Sequence, residues 1–76
     1  MISEKIKEAT LCDLFAEVLG VPGVDPEDSF FDLGGHSLSV SKLVRLIRTR
    51  LDITIQMRVV YDNRTPALLA KHINEG

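Results

Sequence analysis

Tryptophan is absent from this 76-residue chain, and three phenylalanines and one tyrosine supply all its aromatic surface. Readers of single-stranded nucleic acid stack bases on aromatic rings, so this scarcity disfavours that class. Cysteine is nearly missing too. Cys12 stands alone, which excludes an internal disulfide and makes a reducing, cytoplasmic setting the expectation. No apolar run approaches the length of a membrane span, and Met1 to Thr10 is polar and charged rather than a secretory leader. A chain this short buries only roughly 60% of its unfolded surface, too modest a scaffold for a deep catalytic pocket. The expectation is one domain over residues 1–76, a monomer that binds neither nucleic acid nor membrane.

What is present is ordinary for a soluble globular domain: 45% hydrophobic and 26% charged residues, net charge −2. That small net charge hides an asymmetry. Residues 1–36 carry two lysines against eight carboxylates, net −6, and residues 37–76 carry seven basic residues against three carboxylates, net +4. A basic helix in an otherwise acidic chain reads first as a solvated face.

Apolar spacing points to helices. Leu11, Leu14, Phe15 and Val18 fall at i, i+3, i+4 and i+7, and Gly20 with Pro22 stops that helix. Ile2 and Ile6 are out of phase with it, so its start is not defined by the pattern. Val40, Leu43, Val44, Ile47 and Leu51 predict a second helix from Leu38 to about Leu51. Ile53 and Ile55 alternate with polar residues in a segment too isolated to pair as a strand, which predicts a loop packed on one side. Met57 to Tyr61 predicts one helical turn. Thr65-Pro66 predicts a helix start with Thr as cap, followed by Leu68, Leu69, His72 and Ile73 at helical spacing. His72 is expected to be a partly buried packing residue. The fold class is all-α: a small four-helix bundle of three main helices plus one short helix.

Between the first two helices, residues 20–36 form a long connection punctuated by Pro22, Gly23, Pro26, Gly34 and Gly35. Loops that long in small domains are commonly functional. Val21, Val24, Phe30, Phe31 and Leu33 are the apolar residues available to pin it. It ends at Gly34-Gly35-His36-Ser37-Leu38, which puts a hydroxyl at the mouth of the second helix one residue after a pair of glycines. The unpaired N–H groups and positive dipole end of a helix favour a phosphate there. The plain alternative is that Ser37 is an N-cap whose oxygen accepts a backbone N–H. On a helical wheel Leu38 falls opposite the apolar stripe, with Lys42, Arg45 and Thr49. An isolated exposed leucine often means nothing, yet one beside the candidate hydroxyl reads as a docking contact.

Other chemistry fails on spacing. Asp32, His36 and Ser37 invite a hydrolase triad, but adjacent residues diverge as a helix begins, leaving His36 badly placed to take the Ser37 proton. Ser39 occupies the second glycine position of a nucleophile elbow. Gly34-Gly35 lacks P-loop or dinucleotide spacing. Asp25, Asp28 and Asp32 do not match a calcium loop, and Cys12, His36 and His72 do not match a zinc site. Neither catalytic nor metal-ligating residues are expected.

The run Phe30-Phe31-Asp32-Leu33-Gly34-Gly35-His36-Ser37-Leu38 closely resembles the carrier motif of peptidyl carrier proteins, the thiolation domains of nonribosomal peptide synthetases. The resemblance extends over nearly the whole chain, through Phe15 to Val21, Leu43-Val44 with Ile47, and Leu68 to Ile73. It implies an acyl-carrier-protein-like bundle that is not an enzyme. Its serine, here Ser37, is esterified by 4′-phosphopantetheine drawn from coenzyme A by a phosphopantetheinyl transferase using magnesium. The arm would carry aminoacyl or peptidyl thioesters to adenylation, condensation, tailoring and thioesterase domains. Asp32, Gly34, Gly35 and His36 are then motif neighbours that shape the loop, and Leu38, Lys42 and Arg45 are candidate docking residues.

Three positions depart from the family's pattern. Ser39 replaces a usual apolar residue, which would alter a partner contact at the top of the second helix. Arg64 replaces a usual proline, with Pro66 following instead, and Gln56 stands where proline is frequent. Two alternatives remain open. An acyl carrier protein of polyketide or fatty-acid synthesis typically has aspartate before its serine and an acidic second helix, against His36, Lys42, Arg45, Arg48 and Arg50 here. An unmodified helical interaction module would use Ser37 only as a cap.

Overall fold

A computed structural model of the chain describes residues 5–75. Four helices follow one another: α1 (Glu8–Leu19), α2 (Ser37–Leu51), α3 (Met57–Asp62) and α4 (Pro66–Glu75). α1 packs against both α2 and α4, and α3 packs against α2. Among the described residues no helix is long and apolar enough to cross a membrane.

α1 buries Leu11, Leu14 and Phe15 along the expected stripe, with Cys12 beside them and Val18 half-buried. It begins three residues before Leu11. Gly20 ends it in the left-handed region at φ 69°, and the amides of Gly20 and Val21 both donate to the Ala16 carbonyl. Ile2 lies outside the described residues. Ile6 precedes the helix and packs against the core, which explains its different phase. Its N–H donates to Asn74 Oδ1 at 2.7 Å and its carbonyl accepts from Asn74 Nδ2 at 2.9 Å. One side-chain amide thus clasps the start of the bundle to the end of α4.

α2 buries Val40, Leu43 and Ile47 completely. Two expectations need correction here. Val44 is only half-buried, whereas Ser39 is covered to 8% exposure. The two lie on opposite sides of the Val40–Leu43–Ile47 line, so the covered arc is displaced toward the side where Leu46 meets α1. Ser39 is therefore an inward-facing position. Asp52 ends the helix at φ 57°, a conformation aspartate tolerates better than most residues.

Residues 52–56 form the expected loop, with Ile53 and Ile55 resting on the core. α3 is a helix of six residues that buries Val60 alone. At α4, Thr65 Oγ1 accepts the Leu68 N–H at 3.0 Å and Pro66 takes the first helical position, as the Thr-Pro pair predicts. The buried stripe, however, is Pro66, Leu69 and Ala70, continued by half-buried Ile73. Leu68 is 48% exposed and His72 is exposed, because these two residues share the neighbouring face of the helix. His72 is no packing residue.

Candidate functional site

The loop over residues 20–36 is held by its own hydrogen bonds and by one ring. Asp25 and Asp28 close a turn in which Asp28 N–H donates to the Asp25 carbonyl and Asp25 N–H to Asp28 Oδ2. The loop is joined to α4 by Ala67 N–H donating to the Pro26 carbonyl at 3.0 Å, and to the segment before that helix by Phe30 N–H donating to the Arg64 carbonyl at 2.8 Å. Phe30 is fully buried, and Val24 and Phe31 rest on the core. Val21 and Leu33 are half-buried outside it.

All four aromatic side chains form one ladder beneath this loop. Phe15 meets Phe30 edge-on with ring centroids 5.1 Å apart, Phe30 meets Phe31 edge-on at 5.5 Å, and Phe31 stacks on Tyr61 of α3 at 5.1 Å. The Arg64 guanidinium lies over the Phe31 ring at 5.8 Å, and its Nε–H donates to the Tyr61 carbonyl. Arg64, odd against the family pattern, therefore braces the loop against α3. No sequence signal exposes this, because the partners are far apart in the chain.

The two glycines before the helix serve different ends. Gly34 sits at φ +100°, where a side chain is strained although the space around it is open. Gly35 has open dihedrals but no room: a Cβ there would lie 2.6 Å from the Phe30 carbonyl oxygen and would overlap the Phe30 ring. Its N–H donates to that same oxygen at 3.0 Å. The loop thus lies flat on Phe30, which sequence spacing does not reveal.

Ser37 emerges from this support as the first residue of α2. It does not cap the helix. His36 is the N-cap, with extended backbone and a carbonyl that accepts the Val40 N–H, and its side chain makes no capping bond. Ser37 is exposed, and among the described residues its hydroxyl has no hydrogen-bond partner. Asp32 and His36 are exposed as well, and neither touches Ser37 by a hydrogen bond among those residues. No acidic residue occupies the first turn of α2, so the positive end of the helix is unopposed. A phosphoryl group on Ser37 Oγ fits this setting: open approach, free N–H groups, no repelling carboxylate in that turn. Leu38 beside it is 61% exposed.

Elsewhere the chemistry is quiet. The Cys12 thiol is buried, and desolvation, helped by the charges of Asp25, Asp13, Glu8 and Asp28, pushes its pKa above the usual thiol range. Among the described residues no three His, Cys, Asp or Glu side chains converge to hold a metal.

The model of the phosphopantetheine attachment site family matches residues 9–73. The chain belongs to that family. It is a carrier domain of the nonribosomal peptide synthetase type, and the group that such a domain carries is covalent 4′-phosphopantetheine. It is 50% identical over 66 residues to the nonribosomal peptide synthetase agiA of Aspergillus flavus, a match covering 87% of this chain and 1% of the relative. To the dimodular nonribosomal peptide synthase of Bacillus subtilis it is 46% identical over 68 residues, covering 90% of this chain and 3% of the relative. This carrier domain thus spans a small fraction of the length of the curated relatives it matches. Among solved structures, a nonribosomal PCP domain superposes with a TM-score of 0.72 at 37% identity, over 92% of both chains. BlmI, a type-II acyl-carrier-protein from Streptomyces verticillus involved in bleomycin biosynthesis, superposes at 0.84 with 29% identity, over 90% of this chain and 82% of its own.

Proposed function

We propose that Ser37 is the attachment point of the arm and that the chain presents aminoacyl or peptidyl groups on it during nonribosomal peptide synthesis. The observation that carries this is the Ser37 hydroxyl: exposed, unbonded among the described residues and first in α2. In loading, Ser37 Oγ bonds to the phosphorus next to the pantetheine of coenzyme A while the pyrophosphate link breaks. Adenosine 3′,5′-bisphosphate leaves, and the hydroxyl proton passes to a base of a phosphopantetheinyl transferase. When bound, the arm supplies a terminal thiol on which the cargo rides as a thioester. The chain's own part is to hold Ser37 open, to offer the first-turn N–H groups to the phosphate, and to keep the loop rigid on Phe30. Such a tether raises the local concentration of reactants for each successive enzyme.

The partners in this reading are the transferase and adenylation, condensation, tailoring and thioesterase domains, acting in the cytoplasm. Residues 1–76 act as one monomeric domain. Leu38, Lys42 and Arg45 are the docking contacts, exposed on one face of α2. The likeness to BlmI supports a second reading, an acyl carrier. The wholly basic charge of α2 favours the peptidyl one. Incubation with a broad-specificity transferase, magnesium and coenzyme A tests the site by mass spectrometry. Wild type gains the arm and Ser37→Ala does not. Equal behaviour of both chains removes Ser37 from this role.

A further inference from the structure

A shallow groove of about 340 Å³ runs between α1 and α2, lined by Glu17, Val18, Lys42, Arg45, Leu46 and Thr49. Its floor is apolar, with Val18 and Leu46 half-buried. Its charges are unbalanced. The one carboxylate, Glu17, is taken by Arg50 at 2.8 Å, while Lys42 and Arg45 have no acidic partner among the described residues. α2 has no acidic residue of its own to answer them.

The groove also leads to the attachment end. Leu38, Lys42, Arg45 and Thr49 follow at i, i+4, i+7 and i+11, so one stripe runs from beside Ser37 into it. An occupant lying along that stripe meets an exposed leucine, then two free cations over an apolar floor. We propose that this groove seats a segment of a partner protein that presents carboxylates among apolar side chains, such as one face of an amphipathic helix. This rests on the carrier reading and deepens it, by assigning Lys42 and Arg45 a partner of stated charge.

Other occupants fit less well. The volume sits at the small end of ligand pockets, roughly 300–1,000 Å³. No aromatic ring lines the groove to stack a base, and the cations are too few for a nucleic-acid track. The contact suits a carrier, since exposed charges steer encounter without holding a partner long.

The test uses nitrogen-15-labelled full chain and a synthetic amphipathic peptide with leucine and glutamate at helical spacing, followed by NMR. Three other probes accompany it: the same peptide with glutamine for glutamate, phosphatidylserine vesicles, and a single-stranded oligonucleotide. The glutamate peptide should shift the amides of Val18, Lys42, Arg45, Leu46 and Thr49, and the glutamine peptide should bind about tenfold more weakly. A Lys42→Glu/Arg45→Glu chain should lose the glutamate peptide and gain a lysine counterpart, with its thermal midpoint unchanged because both side chains are exposed. Shifts centred elsewhere, indifference to peptide charge, or tighter binding of the vesicles or oligonucleotide would each overturn the proposal. Ser37→Ala should bind the peptide like wild type. A failed groove is thereby told apart from a failed attachment site, which the mass spectrum decides.

Discussion

Replacing Gly35 with alanine puts one methyl group between the attachment loop and the ring beneath it. The new Cβ would sit 2.5 Å from Phe30 Cε2 and 2.6 Å from the Phe30 carbonyl oxygen, where ordinary contact starts at 3.4 Å. Neither neighbour can yield easily. Phe30 is fully buried between Phe15 and Phe31, and its carbonyl oxygen is part of the backbone that receives the Gly35 N–H. Overpacking costs about 1–3 kcal/mol and loss of that hydrogen bond about 1 more, so the expected destabilisation is roughly 2–4 kcal/mol. For a chain of this length total stability is roughly 4–11 kcal/mol, so the substitution removes a large share. At about 4–8 °C per kcal/mol the thermal midpoint should fall by roughly 8–32 °C. Gly34→Ala is the control. It has open space but φ +100°, and should cost only about 1–2 kcal/mol. Circular dichroism melts of both variants measure the order, and transferase loading well below the midpoint measures the effect on Ser37. A Gly35→Ala melt within about 3 °C of wild type, or a larger loss from Gly34→Ala, would refute the steric argument.

Two further outcomes are expected. Leu43→Ala should cost about 2–5 kcal/mol in urea unfolding, against about 1 kcal/mol for half-buried Val44→Ala; equal losses would contradict the displaced face of α2. The Cys12 pKa is raised in the folded protein, chiefly by burial, so the folded thiol keeps its proton to higher pH than the unfolded one. The stability this gives is whole below the unfolded thiol pKa and is lost as pH rises through the folded value. Urea midpoints should therefore fall more steeply above about pH 8.5 in wild type than in Cys12→Ala, and identical slopes would remove the linkage.

Much of this carrier was legible in its residues. Apolar spacing identified the three main helices, Gly20 their first stop and Thr65-Pro66 their last start. Gly34-Gly35 before Ser37 announced an open hydroxyl, and Leu38 was expected on the solvent side. These features are local: rotation per residue, a missing Cβ and a fixed proline φ act within a few positions.

What escaped the sequence were relations between distant residues. Periodicity shows which side chains share a face, but the packing of neighbours sets how far the cover extends. That is why Ser39 is buried while Val44, Leu68 and His72 are less covered than their spacing suggests. The Ile6–Asn74 clasp, the Phe30 ring under Gly35 and the Phe31–Tyr61–Arg64 stack each join groups that meet only once the chain has closed. Short-range stereochemistry was enough to place a hydroxyl at a helix mouth; holding it still required surfaces from both ends of the chain to come into contact.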